Sequence, residues 1–255
     1  LQVLFSLGAG VDHIIGLPDL PDVPIVRIVD PDLTARMSEY VAWQVLHHHR
    51  QGFAHVRMQA ERRWEELRQP AAGEVTVGIM GLGVLGRDAA EVLARLGFHV
   101  IGWSRTEKEI DGLVTYHGKP GLDIFLGQSD ILVSLLPLTP ATAGLINRSL
   151  ISRLKRDGPL GGPVLINAGR GGSQVDAHIA AALTDGTLTG ASLDVFEEEP
   201  LPADSPLWSL ANVTITPHVA AVSSPRALTR NIIDQIAAFE SGKPLQNLVD
   251  PARGY

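Results

Sequence analysis

An α/β architecture wound around a parallel sheet is the expectation for this chain, and two observations carry it. Short apolar runs alternate with helical stretches through its middle, at 75–80, 88–96, 99–103, 121–127 and 130–136. Such alternation gives parallel strands whose connecting helices cover both faces of the sheet. The second observation is where the polar residues fall: Arg170 follows the run 164–168, Glu199 lies beyond 191–195, and His218 follows 213–217. The carboxyl ends of the strands form the ligand crevice of an open α/β sheet, so a cation, a carboxylate and an imidazole converge there. The combination suggests an enzyme.

Bulk properties bound the partners. At 255 residues and 45% hydrophobic content the chain can bury a full core, as one large domain or two smaller ones. Its 28 acidic and 21 basic residues give a formal charge of -7, which argues against general nucleic-acid binding while leaving a local basic pocket open. Cysteine is absent, which removes disulfides, thiolate metal sites and a cysteine nucleophile. Cytoplasm is consistent with this, though not fixed by it. The longest apolar stretches, such as 131–138, are too short to span a bilayer, and no membrane partner is expected.

Taken in order, the chain opens with Leu1 running directly into Val3, Leu4 and Phe5, followed by the glycine loop Leu7, Gly8, Ala9 and Gly10. A strand of this kind normally has sheet neighbours, so a segment upstream of Leu1 is expected. From Thr34 to about Trp64 the pattern is helical, with Tyr40, Val41, Val45 and Leu46 on one spacing and Gly52 as a point of breakage or bending. Residues 68–74 read as a linker. The chain therefore divides into a smaller domain within 1–69, a wound domain over 70–222, and a closing helix and tail over 223–255 that crosses back to the first part. Ser224 and Pro225 mark the start of that last helix, Leu228, Ile232, Ile233, Ile236 and Phe239 form its apolar face, and Gly242 and Pro244 stop it.

Within the wound domain, Gly81, Leu82, Gly83, Val84, Leu85 and Gly86 come directly after a strand and directly before a helix. The first glycine permits the tight turn, the second lets the backbone approach a pyrophosphate, and the third allows close packing of helix on strand. In that context the motif reads as a Rossmann-type dinucleotide site, against the competing reading of a structural glycine turn. The next strand ends in Ser104 and Arg105 where an NAD-binding site would carry an acid for the ribose hydroxyls. A hydroxyl and a guanidinium suit a 2′-phosphate, so NADP(H) is favoured over NAD(H). The alternative is a solvated surface turn, with Lys108 likewise solvated.

These residues, together with 136–140, 167–171, Asp194 and the closing segment 252–255, resemble the D-isomer-specific 2-hydroxyacid dehydrogenases, and more narrowly the glyoxylate/hydroxypyruvate reductase A type. The resemblance implies a flavodoxin-like substrate domain, incomplete at its amino-terminal side, beside the Rossmann-type one. It implies a long linking helix that also dimerises, hence a homodimer. Its catalytic arginine, acid and histidine match Arg170, Glu199 and His218. Gly8, Ala9 and Gly10 match its substrate-carboxylate loop, with Arg170 as the second substrate contact. Leu136, Pro137, Thr142 and Ala168 match its nicotinamide-ribose pocket, Asp194 matches the residue at the carboxamide, and Ala220 lies beside it, as does His218.

The chemistry wants the same residue types. Hydride delivery to a 2-oxo acid leaves negative charge on the former carbonyl oxygen, which must gain a proton. His218 can supply it, with Glu199 favouring the charged imidazolium and fixing the ring. Arg170 can hold the substrate carboxylate and orient the carbonyl. Taken singly, each has a plain structural alternative. Glyoxylate and hydroxypyruvate lead as substrates, with other 2-oxo acids, formate or phosphonate open. The rival from another class is a dinucleotide-responsive binding protein without turnover. His47, His48 and His49 invite a metal reading, but consecutive helical positions point in different directions, so no metal is expected.

Overall fold

The computed structural model describes residues 1–251 and 253–254; Ala252 and Tyr255 of the family-like tail lie outside the described residues. The amino-terminal part contains β1 (Leu4–Phe5), the short α1 (Asp12–Ile15) and β2 (Ile25–Val26), followed by α2 (Pro31–His49) and α3 (Gly52–Ala60). The wound part runs β3 (Thr76–Met80), α4 (Val84–Arg95), β4 (His99–Ser104), β5 (Val114–His117), α5 (Gly118–Gln128), β6 (Ile131–Ser134), α6 (Arg148–Ile151), β7 (Val164–Asn167), α7 (Asp176–Thr184), β8 (Gly190–Leu193) and β9 (Val213–Ile215). Helix α8 (Pro225–Glu240) closes the chain.

The large sheet has seven strands in the order β5-β4-β3-β6-β7-β8-β9, every pair parallel. The chain winds outward from β3 to β5, then returns to β6 on the other side of β3. This reversal is the topological switch point, where such sheets open a crevice. Strands β6 and β7, Ile-Leu-Val-Ser and Val-Leu-Ile-Asn, are buried along their whole length because helices cover both faces. Alternate residues serve opposite cores: Met80, Leu132 and Leu165 join one, and Ile79, Ile131, Val133 and Ile166 the other. Met37, Tyr40, Val41 and Val45 of α2 belong to the second core, so the linking helix packs on the Rossmann sheet.

The single helical stretch expected to Trp64 is two helices. The break falls at Gln51, which is left-handed at φ 57°, one residue before the expected Gly52. Gly52 is needed for another reason: a Cβ there would lie 2.3 Å from the His47 ring. Helix α3 ends at Ala60, and 63–71 carry no regular structure, so Trp64 lies on an irregular arm whose end bonds back to Gln51 and His49.

Val249 donates to the Ile25 carbonyl and Arg27 to the Asn247 carbonyl, which ties the segment after α8 to β2. The apolar face of α8 is only partly covered. Its one buried side chain is Gln235, whose Oε1 accepts the Gln246 amide, whereas Ile233, Ile236 and Phe239 are exposed. Residue spacing gives the stripe but not a surface to cover it. No helix among the described residues is long and apolar enough to cross a membrane.

Candidate active site

The turn after β3 is built as the motif predicts. Gly81 adopts φ 109°, and a Cβ there would meet the Leu135 carbonyl at 2.8 Å. A Cβ at Gly86 would sit 1.9 Å from the Gly81 carbonyl oxygen, so the start of α4 can approach β3 only without a side chain. At Gly83 nothing lies within 4 Å of the added atom. Gly83 is also the N-cap of α4 and supplies no side-chain bond to the first amides, which leaves open backbone and a positive helix end for a phosphate.

A cavity of about 660 Å³ extends from this turn along the carboxyl edge of the sheet. Gly81, Gly83, Val84, Leu85, Ser104, Arg105, Leu136, Pro137, Thr142, Ala168, Asp194, His218 and Ala220 all line it, so every residue expected at the cofactor reaches the same space except Gly86. Gly86 lies beneath, in its packing role. Thr142 braces the 137–142 loop, its Oγ1 donating to the Pro137 carbonyl and accepting the Thr139 amide. The Ser104 hydroxyl donates to the Thr106 carbonyl at 2.7 Å, which orders the loop that carries Arg105. Lys108 is no solvated lysine: it lines the cavity, and its Nζ donates to the Leu82 carbonyl at 2.8 Å.

Arg170 emerges from a loop held by the amide network of Asn167 and Gln174. Asn167 Nδ2 donates to Gln174 Oε1, and Gln174 Nε2 donates to the Val195 carbonyl. The guanidinium is aimed by two further bonds, Nε to Asp12 Oδ1 at 2.9 Å and Nη1 to the Gly169 carbonyl at 2.9 Å. Burial alone would raise the Asp12 carboxyl, but the hydrogen bond and charge of Arg170 outweigh it and hold Asp12 below its ordinary range. Nη2 lies where a Cβ on Gly10 would be, so the glycine loop rests directly on the guanidinium. Within that loop the Gly8 amide is already given to Ser6 Oγ at 3.2 Å, which leaves the amides of Ala9 and Gly10 as the donors for an anion. Gly8 itself lines both the cavity and the adjoining cleft, beside Gly10.

His218 and Glu199 meet as expected. His218 Nδ1 lies 2.7 Å from Glu199 Oε2, and Glu199 Oε1 accepts the Phe196 amide at 3.0 Å. A smaller cleft lined by Gly8, Gly10, Asp12, Arg170, Glu199 and His218 adjoins the large cavity, and all of these except Glu199 line both. His218 takes φ 55°, and its amide donates to the Asp194 carbonyl at 2.8 Å.

Sequence reasoning missed Ser6, Asp12 and Lys108 as site residues. Asp12 and Arg170 are 158 positions apart, and only the fold pairs them. Among the described residues no group of three His, Asp or Glu could hold a metal ion. The histidine run is otherwise engaged: His47 packs edge-on against Phe53, His48 bonds Ser192, and His49 bonds the Pro70 carbonyl.

A phosphate-ready turn at the switch point, with a guanidinium and a carboxylate-held imidazole facing it, accommodates a dinucleotide with a small organic anion alongside. The class is that of the NAD(P)-dependent oxidoreductases. The chain belongs to the D-isomer specific 2-hydroxyacid dehydrogenases, whose NAD binding domain matches residues 42–220. It is 40% identical over 261 residues to the glyoxylate/hydroxypyruvate reductase A of Yersinia enterocolitica, across all of this chain and 82% of that protein. A probable 2-hydroxyacid dehydrogenase from Rhizobium etli, solved with NADP, HEPES and L(+)-tartaric acid, is 58% identical and superposes with a TM-score of 0.97, over 100% of this chain and 80% of its own. The NADPH-dependent glyoxylate/hydroxypyruvate reductase of Sinorhizobium meliloti, solved with NADP and sulfate, is 57% identical with a TM-score of 0.98 and the same coverage.

Proposed function

We propose that this chain is a reductase that uses NADPH to convert a small 2-oxo acid, glyoxylate or hydroxypyruvate, to the D-2-hydroxy acid. The observation that carries it is the pair His218–Glu199 at 2.7 Å, opening into the cleft that Arg170 and Gly10 enclose. Because Nδ1 faces Glu199, Nε2 is the atom that holds the proton for the substrate carbonyl oxygen. Glu199, held against Nδ1, fixes the plane of the ring. Arg170, aimed by Asp12, holds the substrate carboxylate together with the amides of Ala9 and Gly10, which turns the carbonyl toward His218. NADPH, when bound, supplies the hydride. Gly81, Gly83 and the start of α4 would hold its pyrophosphate, and Arg105 and Lys108 its 2′-phosphate. Asp194, Leu136, Pro137, Thr142, Ala168 and Ala220 would line the nicotinamide half. The relatives crystallised with NADP support the coenzyme reading.

The reading extends to a cytoplasmic homodimer that pairs through the outer face of α2, α3 and the arm after it. The test is loss of nicotinamide absorbance when glyoxylate, hydroxypyruvate or pyruvate is added with NADPH or NADH. NADPH oxidation well above that of NADH is expected, and His218→Ala should lower turnover by about 10²- to 10⁴-fold with coenzyme binding kept. Tight coenzyme binding without oxidation by any acid, or near-normal turnover of H218A, would overturn it.

A further inference from the structure

Behind His218 a chain of hydrogen bonds runs out of the site and into helix α2. Tyr40 places its phenolic oxygen 2.8 Å from Thr216 Oγ1, and Thr216 Oγ1 lies 2.6 Å from Asp194 Oδ1. A hydroxyl has one proton to give and a carboxylate can only accept, so Thr216 donates to Asp194 and Tyr40 donates to Thr216. Burial pushes the ionisation of the phenol up, which keeps it a donor across the working pH range.

Asp194, 1% exposed, is where the chain meets the loop that bears His218. Its Oδ1 also accepts the Val219 amide at 2.9 Å, its Oδ2 accepts the Ala220 amide at 2.9 Å, and its backbone carbonyl accepts the His218 amide at 2.8 Å. His218 holds a left-handed backbone that a non-glycine residue adopts only when its surroundings impose it. The bonds to Asp194 impose it here.

We infer that Tyr40 is a positioning residue for the reduction: through Thr216 it fixes the Asp194 carboxylate, and through Asp194 the backbone that aims the His218 imidazole. The inference rests on the reading of His218 as proton donor. Without the phenolic proton the Thr216 hydroxyl is free to rotate, its bond to Asp194 is shared among rotamers, and the imidazole spends less time in register with the carbonyl oxygen.

The experiment is Tyr40→Phe, which keeps the buried ring and removes one oxygen, beside Thr216→Val, Thr216→Ser and the double variant Y40F/T216V. Losing one net hydrogen bond predicts a roughly 3- to 10-fold fall in kcat for Y40F. T216V should fall at least as far, T216S should stay near wild type, and the double variant should be no worse than T216V because both changes cut one chain. Amide hydrogen exchange at 218–220 should quicken in Y40F. A lower melting temperature with kcat and loop exchange unchanged would overturn the inference, as would losses that multiply in the double variant. Failure of the acid reading is separable: it appears as near-normal turnover of H218A, whereas failure of the relay appears as a wild-type Y40F.

Discussion

Lys108 Nζ, at 2.8 Å, and Arg87 Nε, at 3.3 Å, donate to one carbonyl, that of Leu82 inside the glycine turn. Crowding of this kind is unfavourable unless an anion joins it. Burial, and after it the charges of Arg87 and Arg27, lower the ionisation of Lys108 below that of an ordinary lysine. Arg27 comes from the amino-terminal part, so the cations face the cavity from both sides. A coenzyme carrying an extra phosphate would relieve this repulsion and one lacking it would do so less. Lys108→Met is therefore expected to raise the KM for NADPH roughly 10-fold, the worth of one charge-assisted bond, and to change that for NADH little. Steady-state kinetics with both coenzymes decide it: equal losses would take Lys108 away from the phosphate.

Helix α2 presents Tyr40, Gln44 and His48 at four-residue spacing to the sheet, a polar row within an apolar interface. Ser192 Oγ donates to Gln44 Oε1 at 2.7 Å, so the 2.9 Å bond between His48 and Ser192 must use the proton on His48 Nε2. Gly190 makes room for the ring, since a Cβ there would stand 2.9 Å from His48 Cε1. Burial, reinforced by the nearby His47, pushes the His48 ionisation down to about 3. An unfolded chain takes up a proton on this histidine near its ordinary value, about 6.5, and the folded chain does not until far lower pH. More protons are then bound unfolded than folded, so stability falls as pH drops through that window, by at most about 1.4 kcal/mol per pH unit from this group. His48→Gln, which retains a donor for Ser192, should flatten the pH dependence of urea unfolding between neutral and mildly acid pH; an unchanged slope would remove His48 as its source. Features carried by adjacent residues were legible in the sequence: the turn from Gly81 to Gly86 and the strand ends that bear Arg170, Glu199 and His218. Tyr40 with Thr216 and Asp12 with Arg170 were not, because nothing local marks residues paired across 176 and 158 positions. The arm at Trp64 read as helix because its composition permits one, and the edge strand β5 was overlooked because its four exposed or half-buried residues make no apolar run.

At the scale of the molecule, α2 has a second face. Its inner side holds the sheet, while Trp43 and Leu46 on its outer side, Val56 of α3 and Trp64 of the arm are exposed, Trp64 to 103%. An uncovered tryptophan on this segment, in addition to the exposed apolar residues of α2 and α3, is better suited to a partner than to water. In the homodimer proposed above, the partner is a second copy that meets these residues with its own, which closes the assembly with two-fold symmetry. Trp64 and Val56 contribute little to the fold of a single chain, so charging them separates association from folding. On the proposed pairing, the unaltered chain is expected to elute as a dimer by light scattering and the Trp64→Glu/Val56→Glu variant with the mass of a monomer. A monomeric unaltered chain would end the proposal. If α2 is held in place partly by its twin, the kcat of the unaltered protein should also fall on dilution through the dissociation range, and that of the monomeric variant should be lower and independent of concentration. A kcat shared by both would mean that the inner face of α2 is fixed by the sheet alone.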